Sequence, residues 1–137
     1  MKKLIKTILT VTVTMLVAVS FFSCSDESNN EGLWTDAVYS EDSEIGKGEK
    51  RIEIEIVIDG SSVILTVNTD KETLGEALFE YGLINDASFF DTLNGIKADW
   101  SKDQAYWGFY KNNELMAKGV GDEKINGGES YSFVYTK

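Results

Sequence analysis

The chain has no histidine, no proline and a single cysteine among its 137 residues. Without histidine there is no imidazole to serve as a general base, to complete a Ser-His-Asp or Cys-His nucleophile, or to ligate a metal. One cysteine, Cys24, excludes an intramolecular disulfide and leaves a thiol that is either free or chemically capped. If it is capped, a structural zinc site loses both of its preferred ligand types, and no metal site is expected. The lack of proline rules out rigid proline-rich linkers. Basic residues are scarce too: 13 stand against 23 acidic ones, for a net charge of −10. Nucleic-acid binding needs a basic footprint, so that class of partner is argued against, as are anionic ligands held mainly by charge. Solubility explains the acids more simply than calcium binding does. No catalytic constellation remains, and the chain is not expected to be an enzyme.

What is present begins with Lys2, Lys3 and Lys6, followed by a mostly apolar run from Ile8 to Phe22. A short basic start, an apolar run and a small residue before a cleavage point describe a secretory signal at residues 1–23. The run is short of the ~20 residues of a spanning helix, and a non-cleaved anchor is the alternative. In Phe21-Phe22-Ser23-Cys24, the small Ser23 before Cys24 resembles the lipobox of bacterial lipoproteins. The resemblance implies that Cys24 becomes an acylated (palmitate-bearing) mature N-terminus, which holds the protein on the extracytoplasmic face of the cell membrane. Acyl chains contribute ~0.8 kcal/mol per buried methylene, so several of them hold firmly. The other reading is a cysteine that merely follows a signal. Removing residues 1–23 takes away three lysines and no acid, which leaves a net charge near −13.

Residues 24–49 read as an acidic spacer. Residues 25–32 are polar and aperiodic, and residues 33–40, with Trp34, Ala37, Val38 and Tyr39, read as an edge strand or an arm packed on the domain. The domain proper is expected over 50–137. In residues 51–58, Ile52, Ile54, Ile56 and Ile58 alternate with Glu53 and Glu55, the mark of a strand with one face buried. Asp59-Gly60 then predicts a tight hairpin into residues 61–67. Thr69 and Glu72 match a capping box. Leu74, Ala77, Leu78 and Tyr81 lie on one stripe of the helix that follows, and Gly82 is placed to end it. Neither the stripe nor the isoleucine face is stable alone in water, so the two must meet.

Beyond the helix, Phe89 to Leu93 and Ile96 to Trp100 flank the turn signal Asn94-Gly95. Residues 105–110 put Tyr106 and Tyr110 on one side and Trp107 and Phe109 on the other, as in a central strand or one facing a ligand. Asn112-Asn113, Gly119 to Asp122 and Gly127-Gly128 punctuate the rest, and a last strand covers 130–135. The order is β-β-α-β-β-β-β. The expected fold class is α+β: a small, mainly antiparallel sheet with one amphipathic helix packed on one face.

Asn94-Gly95, Tyr106-Trp107, Gly119-Val120-Gly121-Asp122 and Gly128-Glu129, followed by an alternating final strand, occur here in that order. This stretch resembles the bacterial lipoprotein domain family DUF4430, which is in turn similar to the C-terminal domain of transcobalamin and intrinsic factor. The resemblance covers residues 50–137. It implies a domain that covers one face of a corrinoid with backbone and aromatic groups, with no side-chain imidazole needed on the cobalt. The carriers' larger helical domain has no counterpart in the sequence, so a lone half-site would bind weakly or need a partner. The ligand-binding candidates are Trp100, Tyr106, Trp107, Phe109, Gly119, Val120, Gly121 and Asp122. Each has a plain structural reading beside it: the aromatics as core, the glycines as a turn. Glu53 and Glu55 could pair as acid and base, but a solvated strand face accounts for them. The expected function is a membrane-anchored extracytoplasmic binding module for a corrinoid or other small molecule, which it would hold or pass to a transport protein. The alternative is a cell-surface protein–protein interaction module that docks through a sheet edge or an aromatic patch.

Overall fold

The computed structural model describes residues 31–137. The signal at 1–23, Cys24 and the first part of the spacer lie outside the described residues. One compact unit spans Leu33–Lys137.

Strands β1 (Ser43–Gly46), β2 (Lys50–Ile58), β3 (Ser61–Thr69), β6 (Tyr106–Lys111), β7 (Glu114–Leu115) and β8 (Ser130–Thr136) form one sheet in the order β1-β3-β2-β8-β6-β7. A separate two-stranded ribbon joins β4 (Thr92–Leu93) to β5 (Ile96–Lys97). Helices are short: α1 (Glu31–Trp34), α2 (Leu74–Glu80) and α3 (Trp100–Asp103), with a 3₁₀ turn at Val120–Asp122. The class is α+β, as expected. Asp59 and Gly60 both have positive φ, at 49° and 82°, the backbone of a type I′ turn whose twist matches the flanking strands. Asn94-Gly95 and Asn112-Asn113 repeat the device, with φ between 53° and 80°. Two pairings are parallel, β1 with β3 and β2 with β8; the rest of the sheet is antiparallel.

Burial follows the alternation. Ile52, Ile54 and Ile56 are fully buried, while Glu53 is exposed and Glu55 half-buried on the opposite face. Leu74, Ala77 and Leu78 of α2 join the same core as the isoleucines, so helix and hairpin meet as the sequence requires. Gly82 takes φ 70°, its N–H donates to the Phe79 carbonyl, and the Leu83 N–H donates to Leu78, which together complete a Schellman ending.

Two expectations need correction. The capping box is formed by Thr73 and Glu76, not by Thr69 and Glu72. The β2–β3 ladder runs on until Thr69 pairs with Lys50, so Thr69 is a buried strand residue whose hydroxyl accepts from the Lys71 N–H at 3.0 Å. The Thr-x-x-Glu spacing occurs twice, four residues apart, and the ladder decides between the copies.

Residues 33–40 do not form the expected edge strand; they make a helical turn and a loop, and β1 takes the edge. Their apolar residues do not alternate, and the backbone finds another partner. Buried Asn94 accepts from the Tyr39 N–H and donates to the Tyr39 carbonyl, both at 2.8 Å, as a strand would. Leu33, Trp34, Ala37 and Tyr39 pack on the core, so the arm reading describes the segment.

Replacing Thr73 with alanine removes the acceptor for the Glu76 N–H and is expected to cost about 1 kcal/mol, or roughly 4–8 °C in Tm. Thermal unfolding followed by circular dichroism checks this, and an unchanged Tm would count against the cap.

Candidate functional site

Strand β6 alternates Tyr106, Gly108 and Tyr110 on the open face with Trp107, Phe109 and Lys111 on the core face. Its register against β8 sets Phe109 opposite Phe133 and Trp107 opposite Tyr135. Phe109 stacks on Phe133, with centroids 5.1 Å apart and planes 10° apart, and Trp107 meets Tyr135 edge-on at 5.4 Å. The Trp107 indole N–H donates to the Ile96 carbonyl at 3.3 Å, which satisfies the polar atom of a half-buried ring.

Facing this strand is the loop after α2. The Asp86 carboxylate accepts from the Ser88 and Phe89 N–H groups at 2.8 and 2.9 Å, and the Asn85 side-chain oxygen accepts from the Asp91 and Thr92 N–H groups. Those local bonds hold Phe89 out in water, 92% exposed, while Phe90 turns in edge-on to Phe133 at 5.8 Å. The Asp86 carboxyl lies below its ordinary value because those two N–H groups stabilise its charge. Lys118, Gly119 and Val120 close the third side. The result is a shallow groove of about 160 Å³ walled by Phe89, Phe90, Trp107, Phe109, Gly119 and Val120, with Ser88 and Lys118 as its polar members.

Four of the eight candidates therefore share one site: Trp107, Phe109, Gly119 and Val120. Phe109 and Val120 are mainly core, at 8% and 2% exposure. Trp100 and Tyr106 come together elsewhere, with ring centroids 6.2 Å apart, both exposed. Gly121 has an internal explanation. A Cβ there would lie 3.2 Å from the Ala87 carbonyl oxygen, and one at Gly75 only 2.0 Å from the same atom, so α2, the 87–88 loop and the 3₁₀ turn meet backbone to backbone. Asp122 is exposed and does not line the groove. Sequence reasoning missed Ser88, Phe89, Phe90 and Lys118. Phe89-Phe90 reads as strand by composition; the Asn85-Asp86 pair before it was the available loop signal.

An ion network joins the groove through Lys118. The Lys111 ammonium bridges Glu123, at 3.2 Å, and Glu129; Lys118 sits 3.5 Å from the other oxygen of the buried Glu123. The Tyr131 hydroxyl and the Asn126 N–H also donate to Glu129. Burial pushes the Glu129 carboxyl up, but Lys111 and these donors outweigh it, and the group ends below its ordinary value. Lys111 is raised, first by its bond to Glu129. Burial, with the Glu129 charge beside it, pushes the Tyr131 phenol up, so that it stays neutral. The groove thus offers aromatic faces, bare backbone, a hydroxyl and an ammonium. Among the described residues no group of three or more acidic, cysteine or histidine side chains is placed to hold a metal.

No family model and no curated protein matches the chain. Solved structures do. A protein from Ruminococcus gnavus ATCC 29149, described as a candidate metal binding protein, matches with a TM-score of 0.59 and 24% identity over 65% of this chain and 98% of its own. Haptocorrin, of the transcobalamin family, in complex with Cbi (cobinamide), matches with a TM-score of 0.51 and 13% identity over 68% of this chain. The fold is transcobalamin-like. The match covers 26% of haptocorrin's own chain. Within the transcobalamin-like unit, the aromatic groove opens on the layer that carries α2.

Because the folded state holds Glu129 below 4.5, the unfolded chain binds more protons as pH falls through that region, and stability drops there. A Glu129→Gln variant lacks this contribution. Its Tm is expected to lie below that of the wild type at neutral pH, with the gap closing as pH falls below about 4.5. A Tm–pH series on both proteins reads the effect, and a constant gap across the series would refute it.

Proposed function

We propose that the chain is a non-catalytic binding module of the DUF4430 lipoprotein kind, tethered outside the cell membrane through Cys24, whose ligand is a corrinoid or another small molecule with a flat apolar body. The observation that carries this reading is the groove in which Trp107, Phe89 and Phe90 surround the bare backbone of Gly119. Sites that enclose a drug-sized ligand span ~300–1,000 Å³, so a groove of about 160 Å³ grips one edge and leaves the rest of the ligand outside. That is half a pocket. A surface or transport protein can supply the other half, and tethering raises the local concentration for such a hand-over. The haptocorrin likeness supports the ligand class, and the basic-then-apolar segment before Ser23-Cys24 supports the tether.

A second reading, docking of another surface protein, is favoured by one feature. Strand β7 stands at the edge of the sheet and its Leu115 is 67% exposed, an apolar side chain left for a partner protein to cover.

Titration of the protein with cobalamin and cobinamide, read by tryptophan fluorescence, separates the two. The first reading expects saturable quenching in the micromolar range that is lost in Trp107→Phe and weakened about tenfold in Phe89→Ser, a loss of roughly 1.4 kcal/mol. No quenching at high micromolar ligand selects the docking reading. The tether is checked by metabolic labelling with a fatty-acid probe: the label is expected to vanish in Cys24→Ala, and its persistence would remove the anchor from the proposal.

A further inference from the structure

Asparagine precedes glycine at two points in the chain, Asn94-Gly95 and Asn126-Gly127. Such a pair carries a chemistry of its own. The main-chain nitrogen after an asparagine can attack the side-chain amide carbon, and glycine hinders that attack least because it has no Cβ. No catalyst is needed, only a side chain free to turn and a nitrogen free to meet it. The fold treats the two pairs in opposite ways.

Asn94 is closed to this reaction. It is fully buried, its side-chain oxygen accepts from the Tyr39 N–H, and its side-chain nitrogen donates to the Tyr39 carbonyl, both at 2.8 Å. Its own N–H donates to the Leu83 carbonyl at 2.7 Å, and its carbonyl accepts from the Val38 N–H at 3.0 Å. Turning the side chain toward the Gly95 nitrogen would break both bonds to Tyr39 out of reach of water, where unpaired polar groups are costly.

Asn126 is open to it. Asn126, Gly127 and Gly128 are all exposed, and among the described residues neither the Asn126 side-chain amide nor the Gly127 N–H is hydrogen-bonded. A Cβ built on Gly127 would find its nearest neighbour 3.8 Å away, so the residue is not crowded. The turn is nevertheless fastened on both sides. The Ile125 N–H donates to the Glu72 carbonyl at 2.9 Å, and the Gly128 N–H donates to the Arg51 carbonyl at 2.8 Å. Glu129, next in the chain, accepts from the Asn126 N–H and pairs with Lys111.

We propose that Asn126 is a site of spontaneous deamidation whose product loosens the turn that holds Glu129 against Lys111. The Gly127 nitrogen bonds to Asn126 Cγ, its proton passes through water to the departing amide nitrogen, and the Cγ–Nδ2 bond breaks to release ammonia. Water then adds to either carbonyl of the cyclic imide, and ring opening leaves aspartate or isoaspartate at position 126. Either product places a new carboxylate close to Glu129. The isoaspartate also routes the main chain through Cβ and Cγ, which inserts one more carbon between the points fixed at Ile125 and Gly128.

The test is to hold the purified full chain for days in mildly alkaline buffer and then cut it with trypsin. Cleavage after lysine leaves Asn126 in the peptide 125–137 and Asn94 in the peptide 72–97, and mass spectrometry reads the exchange of amide for acid in each. Conversion is expected at Asn126, with Asn94 at least about tenfold slower because it must await local unfolding. In peptides cut before the incubation, the two sites are expected to convert at similar rates. Gly127→Ala fits without a clash and is expected to slow conversion of the folded protein about tenfold or more. The isoaspartate form, separated by chromatography, is expected to melt a few degrees below the unmodified protein. An Asn126 that stays an amide in the folded chain while the cut peptide converts would overturn the proposal. Equal conversion of Asn94 in the folded chain would do the same, and an isoaspartate form with an unchanged Tm would overturn the loosening of the turn.

Discussion

The rest of the molecule is organised around one strand whose side chains cannot exchange faces. Ile52, Ile54 and Ile56 are completely withdrawn from water and Ile58 almost so, while Glu53 and Glu55 between the first three carry carboxylates. A slip of one residue against β3 would bury Glu53 and Glu55 and expose the isoleucines, at a cost of many kcal/mol in transfer energy and unpaired charge. The register of β2 is therefore fixed, and β2 pairs on both sides, with β3 and with β8. Through β8 the same constraint reaches β6, so the choice of faces made by the isoleucines dictates that Trp107 and Phe109 turn toward the core layer and Tyr110 away from it. The aromatic groove inherits its side of the sheet from this strand.

Covering the isoleucine face takes more than α2, which is only seven residues long. The remainder comes from irregular chain, and irregular chain needs specific fastenings because it has no ladder to satisfy its backbone. Here these are close backbone approach at Gly75, Ala87 and Gly121, the Asn94 side chain that imitates a strand partner for Tyr39, and the Asp86 carboxylate that gathers the 88–89 amides. The aromatic groove is what remains between two such fastened segments and β6. Bonds within each segment hold its walls.

What could be read in advance follows the range of the interaction responsible. Asp59-Gly60 between alternating runs, and the Leu74/Ala77/Leu78 stripe, act over a few residues, and both formed as expected. The class followed, because a one-faced hairpin and a one-striped helix have only each other to bury. The parallel contact of β8 with β2 joins residues far apart in the chain and leaves no local trace. The choice between Thr69 and Thr73 as cap depended on where the β2–β3 ladder stops, and that is set by Lys50 on the other strand. In the groove, Trp107 and Phe109 were legible from alternation alone. Phe89 and Lys118 were not, because nothing local says which loop residues end up beside β6.

Lys118 shows how the groove is tied to the sheet. Its ammonium faces one oxygen of the buried Glu123, and the other oxygen is held by Lys111, which itself stands on β6 and reaches Glu129 at the entry to β8. Lys111 also lies 5.4 Å from the centre of the Tyr131 ring. One buried carboxylate thus connects a groove lysine to β6, which carries Trp107 and Phe109, and through Lys111 to the start of β8. A buried ion of this kind adds little net stability, because desolvation offsets its attraction. What it fixes is position. The groove's ammonium and its ring faces are thereby held in one fixed relation.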